Sequence, residues 1–354
     1  MRTTKKSTRS KGTATTIDEV AALAGVSPMT VSRVINGHSN VRDSTRERVM
    51  RAVHRLDYTP NLAASSLAAA KAARIAFIYT NPSAAYLSEL LVGVLQGTAR
   101  TTVQLVIDSW ADFGVEARRN AARTLAKSVA GVILPPPLCE SKAIISELVD
   151  ADIPVVAIAS NRRSDDVSRV RIDDFNASKE ITEYLISLGH TRIGHIKGHP
   201  GLAASTRRLE GFRAALNEAG IPIDDELVQQ GQFTYRSGLK AAQKLMALPN
   251  PPSAIFASND DMAAAAVSVA YRLGLEVPGD LSVVGFDDTS AATMVWPELT
   301  TVRQPIAAMA NSAVDILLRS IRRTDGEANA VVDNIVAHTL VKRDSAGKPR
   351  AAGG

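Results

Sequence analysis

The sequence predicts two unlike parts: an N-terminal all-α helix-turn-helix head, then an α/β body of two lobes built on parallel sheets. Three observations predict them. A Gly-Val-Ser-Pro turn at 25–28 separates two short stretches of helical apolar period. From residue 74 onward, short apolar runs alternate with helical stretches in two successive series. The 354 residues, 45% of them apolar, are enough for two or three domains with buried cores.

Residues 1–14 are polar and basic, with Lys5, Lys6, Arg9 and Lys11 among Ser, Thr and Gly, and read as a disordered tail. Order is expected from Thr16, where Thr16-Ile17-Asp18-Glu19 makes a capping box. Ile17, Val20, Ala21 and Ala24 follow as an apolar stripe that ends at Gly25. Ser27 suits the next N-cap and Pro28 the first helical position, where no amide hydrogen is needed. Val31, Val34 and Ile35 then fall on one side of a short helix. Met29, Ser32, Arg33 and Asn36 fall on another, which suits base edges in a major groove better than a protein core. Two short helices across so tight a turn form a helix-turn-helix. A third helix over 44–56 places Val49, Ala52, Val53 and Leu56 on one face to close a three-helix core. Its Arg46, Arg48, Arg51 and Arg55 fit either backbone phosphates or plain solvation. Asn61 can cap a short helix over 62–68, far below the length that stands alone in water.

In the body, runs at 75–79, 103–107, 131–134 and 154–158 read as strands, with helices at 86–100, 116–128 and 141–149. The rhythm restarts with strands at 169–172, 193–196, 254–257 and 281–286. Helices at 176–188, 205–219, 237–248 and 260–273 accompany them. Such alternation implies parallel sheets covered on both faces. Ligands of these sheets bind outside the carboxyl ends of the strands. Asn161, Arg162, Asp173, Asp174, Asn259, Asp260, Asp261, Asp287 and Asp288 fall at those ends.

Charge is unevenly placed. Residues 1–72 carry 12 Lys and Arg against 5 Asp and Glu, more than the +5 surplus of the whole chain, so the remainder is slightly acidic. A basic head points to a polyanion partner at that end. Cys139 is the sole cysteine, which excludes an intrachain disulfide and fits a reducing compartment. The start of the chain lacks the apolar core of a secretory signal, and no apolar run reaches the ~18 residues of a membrane span. The expected place is the cytoplasm. His190, His195 and His199 surround one strand at uneven spacing with no Cys or acidic set beside them, so no metal is assigned. Neither a G-x-x-x-x-G-K-[ST] loop nor a G-x-S-x-G elbow occurs; no cofactor and no catalytic residue is expected.

From Thr16-Ile17-Asp18-Glu19-Val20-Ala21 through Gly25-Val26-Ser27, then Thr30-Val31-Ser32-Arg33-Val34-Ile35-Asn36, the head resembles the DNA-binding head of the lactose-repressor (LacI/GalR) family. Thr45-Arg46 and Tyr58-Thr59-Pro60-Asn61 continue the match. Gly189-His190-Thr191-Arg192-Ile193-Gly194, Arg208-Leu209-Glu210-Gly211-Phe212, Ser258-Asn259-Asp260, Gly285-Phe286-Asp287-Asp288 and Leu299-Thr300-Thr301-Val302-Arg303-Gln304-Pro305 are similar to the family's body signatures. The resemblance covers roughly residues 15–343. It implies a body of the type I periplasmic-binding-protein-like fold, and a homodimeric transcription factor, a repressor, on a pseudo-palindromic double-stranded DNA operator. It also implies allosteric control by a small carbohydrate-like effector between the lobes.

By that resemblance the head spans 15–60, a hinge helix and linker span 61–72, and the effector-binding and dimerisation part spans 73–343. The first lobe takes 73–160 and 290–323, the second 161–289 and 324–343, with crossings near 160, 289 and 323; residues 344–354 form a disordered tail. The DNA contacts implied are Thr16, Ser27, Pro28, Met29, Thr30, Ser32, Arg33, Asn36, Tyr58, Asn61, Ala64 and Leu67. Pro28, Met29 and Arg33 hold the base-reading positions, and Arg33 can pair bidentately with guanine. Leu67 holds the place of a minor-groove wedge. Leu62 departs from members that carry a basic residue there. The effector positions are Tyr86, Arg208, Phe233, Asn259, Asp261 and Asp287, with Asn161 and Asp173 added from the strand-end reading. Leu202 and Ala204 stand where purine-binding relatives contact the base, which disfavours a nucleobase. Helices 86–100 and 307–323 are the candidates for a dimer seam, with lobe core as the alternative for each. No leucine-heptad tail follows Val341, so a tetramer of that kind is not expected. Two rival readings lack DNA: a sugar-binding protein, which needs no basic head, and a sugar-acting enzyme, which needs the missing nucleophile, metal or nucleotide motif.

Overall fold

The computed structural model of the chain describes residues 16–35, 41–56, 58, 73–80, 83–162, 164–322 and 331–350. The chain divides into two compact units between Ala72 and Ala73. The first holds α1 (Ile17–Ala24), α2 (Pro28–Ile35) and α3 (Asp43–Arg55). The capping box is formed: the Thr16 amide donates to Glu19 Oε2 at 2.8 Å, and the Glu19 amide donates to Thr16 Oγ1 at 3.4 Å. Gly25 ends α1 at φ 64°, the left-handed conformation that glycine adopts without strain. Val20, Ala21 and Ala24 of α1, Val31 and Val34 of α2, and Val49 and Ala52 of α3 close one small core. Asn36, Asn61, Ala64 and Leu67, the tail at 1–14 and the hinge at 61–72 lie outside the described residues.

The second unit begins with β1 (Arg74–Tyr79), α4 (Ala84–Thr98), β2 (Gln104–Ser109), α5 (Val115–Ala126), β3 (Gly131–Leu134), α6 (Lys142–Val149), β4 (Val155–Ile158) and β5 (Ser168–Arg171). It continues with α7 (Asp174–Ser187), β6 (Ile193–Lys197), α8 (Ala203–Glu218), β7 (Val228–Gln230), α9 (Tyr235–Met246), β8 (Ala254–Ala257), α10 (Asp260–Arg272) and β9 (Ser282–Val284). Then come α11 (Ser290–Met294), β10 (Thr301–Arg303), α12 (Ile306–Ile321), β11 (Asp333–Ile335) and β12 (Thr339–Val341). Among the described residues, six strands form one parallel sheet in the order β11-β5-β4-β3-β1-β2, and four form another in the order β7-β6-β8-β9. The central strands β3, β4 and β8 are buried along their whole length, as a sheet covered on both faces requires. No helix among the described residues is long and apolar enough to cross a membrane.

The lobes divide elsewhere than expected. β5, assigned from sequence to the second lobe, pairs with β4 in the first sheet. β11 then joins β5, and Arg169 and Arg171 hold Asp333 at 2.6 and 3.0 Å. The first crossing therefore follows β5, near 172–173, rather than residue 160. β10 extends the second sheet through bridges Val284–Thr300 and Asp287–Arg303, so the return comes near 304–305 rather than 289. Residue 323 lies outside the described residues, but α12 and β11 on either side of it both belong to the first lobe; the third crossing precedes β12. The tail expected from 344 is ordered to 350. Ser345 is fully buried, accepting from the Thr300 amide at 2.9 Å, and the Gly347 amide donates to Ser282 Oγ at 3.0 Å. Its Ser and Gly composition hid this, because the segment is held by hydrogen bonds between serine hydroxyls and backbone groups.

Of the two helices named for a dimer seam, α12 is lobe core. Ile306, Met309, Ala310, Ala313, Val314 and Leu317 are buried against α4 and the first sheet. α4 buries Tyr86, Leu90 and Val94 inward and leaves Val92 and Leu95 exposed.

Candidate functional site

In the head, α2 buries Val31 and Val34 and exposes Pro28, Met29 and Arg33. Ser27 caps the helix, accepting from the Thr30 amide at 3.2 Å and sharing a hydrogen with the Thr30 hydroxyl at 2.9 Å. Ser32 is half-buried, and Thr16 is spent on the capping box. Tyr58 packs on the head core, its amide donating to the Val53 carbonyl at 3.0 Å. The outward face of α2 thus offers two apolar side chains, Pro28 and Met29, and one guanidinium, set on a three-helix base.

In the body, a cavity of about 490 Å³ lies at the strand ends. Thr80, Ser83, Tyr86, Ala111, Arg118, Pro136, Pro137 and Ala159 line it, together with His199, Leu202, Ala204, Arg208, Gln232, Phe233, Thr234, Asn259 and Asp287. It is therefore a cleft between the two lobes of this unit. Arg208 is its electrostatic centre. Carried on the first turns of α8, the buried guanidinium donates from Nε to Asp174 Oδ1 at 2.8 Å and reaches Asp287 Oδ1 at 3.7 Å. It lies 3.6 Å from the centroid of Phe286, a cation–π contact. Asp287 also accepts from Gln304 Nε2 at 2.6 Å. Burial pushes the Asp287 carboxyl well above its usual range, outweighing the opposing pull of Arg208. Burial likewise raises the Tyr86 hydroxyl, which stays protonated and able to donate.

Asn259 caps α10, accepting from the Met262 amide at 3.0 Å, and its Nδ2 donates to the Phe233 carbonyl at 3.2 Å. Three lining residues, Ala159, Phe233 and Asp287, have φ of 54°, 59° and 114°. Such strain in non-glycine residues gathers where ligands are held. A ring face, a phenol, an amide and a carboxylate around a guanidinium can grip a small polyhydroxylated molecule.

Five of the eight residues named from sequence line this cleft: Tyr86, Arg208, Phe233, Asn259 and Asp287. Asp261 stands beside it, hydrogen-bonded to Ser83 and 3.4 Å from Asn259 Nδ2, its carboxyl raised by burial. Asn161 and Asp173 do not line it. Asn161 donates to Asp174 at 2.6 Å and so braces the partner of Arg208, while Asp173 caps α7 through the Asn176 amide at 3.2 Å. Thr80, Arg118, Gln232 and Thr234 were not singled out in the sequence. Thr80 directly follows β1, so the strand-end rule reaches it; Arg118 sits on a helix and gives no such signal. The three histidines are apart in role. His190 bonds Ser253 at 2.8 Å, and His195 lies between the Phe212 and Phe256 rings, where burial lowers it to about 3. His199 lines the cleft.

Comparison with known proteins accords with both halves. Residues 16–61 match the model of bacterial regulatory proteins, lacI family, and residues 182–346 that of a periplasmic binding protein-like domain. The HTH-type transcriptional regulator DegA of Bacillus subtilis (strain 168) is 38% identical over 83% of this chain and 88% of its own length. The chain belongs to the LacI family. Members of this family are transcriptional regulators, and so is this one. Among solved structures, the LacI-family regulator CelR in complex with cellobiose aligns at 32% identity and a TM-score of 0.69, covering 94% of this chain and 99% of CelR. The Lac repressor dimer bound to operator and the anti-inducer ONPF aligns at 28% identity and a TM-score of 0.70, covering 94% and 99%.

Proposed function

We propose that this LacI-family regulator is a cytoplasmic homodimeric repressor of a pseudo-palindromic operator, controlled by a sugar or sugar derivative bound in the cleft. One observation carries the reading: a cleft between two lobes, centred on the buried Arg208–Asp174–Asp287 group and bordered by a phenyl face and a phenol. Cellobiose on CelR and the operator on the Lac repressor are consistent with each half of it. The effector biases the lobes between two arrangements and so changes operator affinity. Pro28, Met29 and Arg33 read one half-site and the second copy reads the other. Thr16, Ser27, Thr30, Ser32, Asn36 and Tyr58 position the head, while Asn61, Ala64 and Leu67 form the hinge that wedges the minor groove. The exposed Val92 and Leu95 of α4 supply part of the dimer seam.

Arg33→Ala tests the DNA half. Arg33 is exposed and outside the head core, so folding is kept. Discrimination between operator and random duplex, read by fluorescence anisotropy, is expected to fall by about 1–3 kcal/mol, the worth of one bidentate base contact. Unchanged discrimination removes Arg33 from base reading.

A further inference from the structure

Two polar atoms in the first-lobe wall of the cleft have no partner among the described residues. Thr80 Oγ1, just beyond β1, and Arg118 Nε, near the start of α5, are both enclosed and unbonded. Arg118 makes one side-chain hydrogen bond there, from Nη2 to the Trp110 carbonyl at 3.3 Å. Its neighbours on the same helix are served otherwise. Arg119 pairs with Glu116 at 3.3 Å and Arg123 with Glu147 at 2.6 Å, both away from the cleft. The other guanidinium of the cleft, Arg208, is already neutralised by Asp174 and Asp287. Arg118 is thus a cleft-lining cation with no ion pair among the described residues, and a buried N–H without an acceptor is costly enough to call for one.

We propose that the effector is an acidic sugar, whose carboxylate is received by Arg118 and the Thr80 hydroxyl on the first-lobe wall. The inference rests on the reading of the cleft as a sugar site and names the class of sugar. A planar, singly charged carboxylate matches the guanidinium fork and brings one charge to one unpaired cation. A doubly charged phosphoryl group exceeds that, in a cleft that already carries Asp287 and has Asp261 beside it. His199 adds a donor from the opposite lobe. Its Nδ1 accepts from the Gly201 amide at 3.0 Å, which leaves the ring hydrogen on Nε2.

The test is titration calorimetry of the full-length protein with D-glucuronate, D-galacturonate, their parent hexoses and glucose 6-phosphate. At least one uronate is expected to bind ten-fold or more tightly than its parent hexose. Arg118→Met should cost that uronate ten-fold or more in affinity, a larger loss than its parent hexose suffers. Arg118→Lys, which keeps the charge and loses the fork, should fall between. An unchanged melting temperature shows that each variant is folded. Hexoses binding as tightly as uronates, a preference that survives Arg118→Met, or glucose 6-phosphate binding more tightly than any uronate each overturns the assignment and leaves the sugar cleft standing. Absence of binding by every sugar in the panel overturns the assignment, and a cleft that takes no cellobiose either overturns the sugar reading as well.

Discussion

Arg208→Met is expected to destabilise the protein by about 3–5 kcal/mol, the cost of leaving one half of a buried ion pair behind. Methionine nearly matches the length of arginine, so packing changes little. The charge does not survive the exchange. Asp174 is buried, with Arg208 at 2.8 Å and the Asn161 amide at 2.6 Å as its side-chain partners. Asp287, held by Arg208 and Gln304, loses the guanidinium that opposes its desolvation. Chemical denaturation of the variant gives the loss directly. Adding Asp174→Leu should recover much of it, since removal of both charges leaves no buried ion unpaired. An Arg208→Met protein as stable as the wild type would mean that the pair is not enclosed as described.

Gly211→Ala is expected to cost about 3 kcal/mol or more and to abolish effector binding, although Gly211 does not line the cleft. α7 and α8 cross at this glycine. A Cβ there would lie 2.2 Å from the Phe175 carbonyl oxygen and 3.0 Å from the Lys179 amide nitrogen. Both are backbone atoms of a helix and cannot turn aside, so the two helices must part. Asp174 and Arg208 sit on those helices within one turn of the crossing, and the Ser178 hydroxyl donates to the Arg208 carbonyl beside it. Separation of the helices therefore breaks the ion pair that centres the cleft. Denaturant midpoints and calorimetric titration with sugars check both parts. An alanine tolerated without loss of either would show that the crossing is looser than these distances require.

Much of this was legible in the chain. Capping signals marked α1 and α2, and apolar periods marked all three helices of the head, because a short helix needs its buried stripe in fixed places. The strand-end rule placed Asn259 and Asp287 at the cleft and Asp174 behind it, as the buried partner of Arg208. A strand without an apolar run escaped: Val228-Gln229-Gln230 is an edge strand that need not be apolar on both faces. The strand at 169–172 was read but placed in the wrong lobe, because its pairing with β4 and its ion pairs to Asp333 show only in three dimensions. The lobe boundaries depended on that pairing, so they shifted with it. Asn161 and Asp173 were misplaced because an amide or carboxylate at a strand end serves equally well to brace a neighbour or cap the next helix. Arg118 was invisible for the opposite reason: on a helix its spacing is that of any solvated arginine, and the missing partner shows only in three dimensions.

The most direct measurement is the operator affinity of the full-length protein, titrated on duplex from its own upstream region at fixed salt, with and without saturating cellobiose or D-glucuronate. The expected result is a change of ten-fold or more in Kd with at least one of the two, and its disappearance in Asp287→Ala, whose ligand-free affinity for DNA stays at the wild-type value. A Kd that neither sugar moves, or a shift that persists in Asp287→Ala, would contradict control of the head from the cleft.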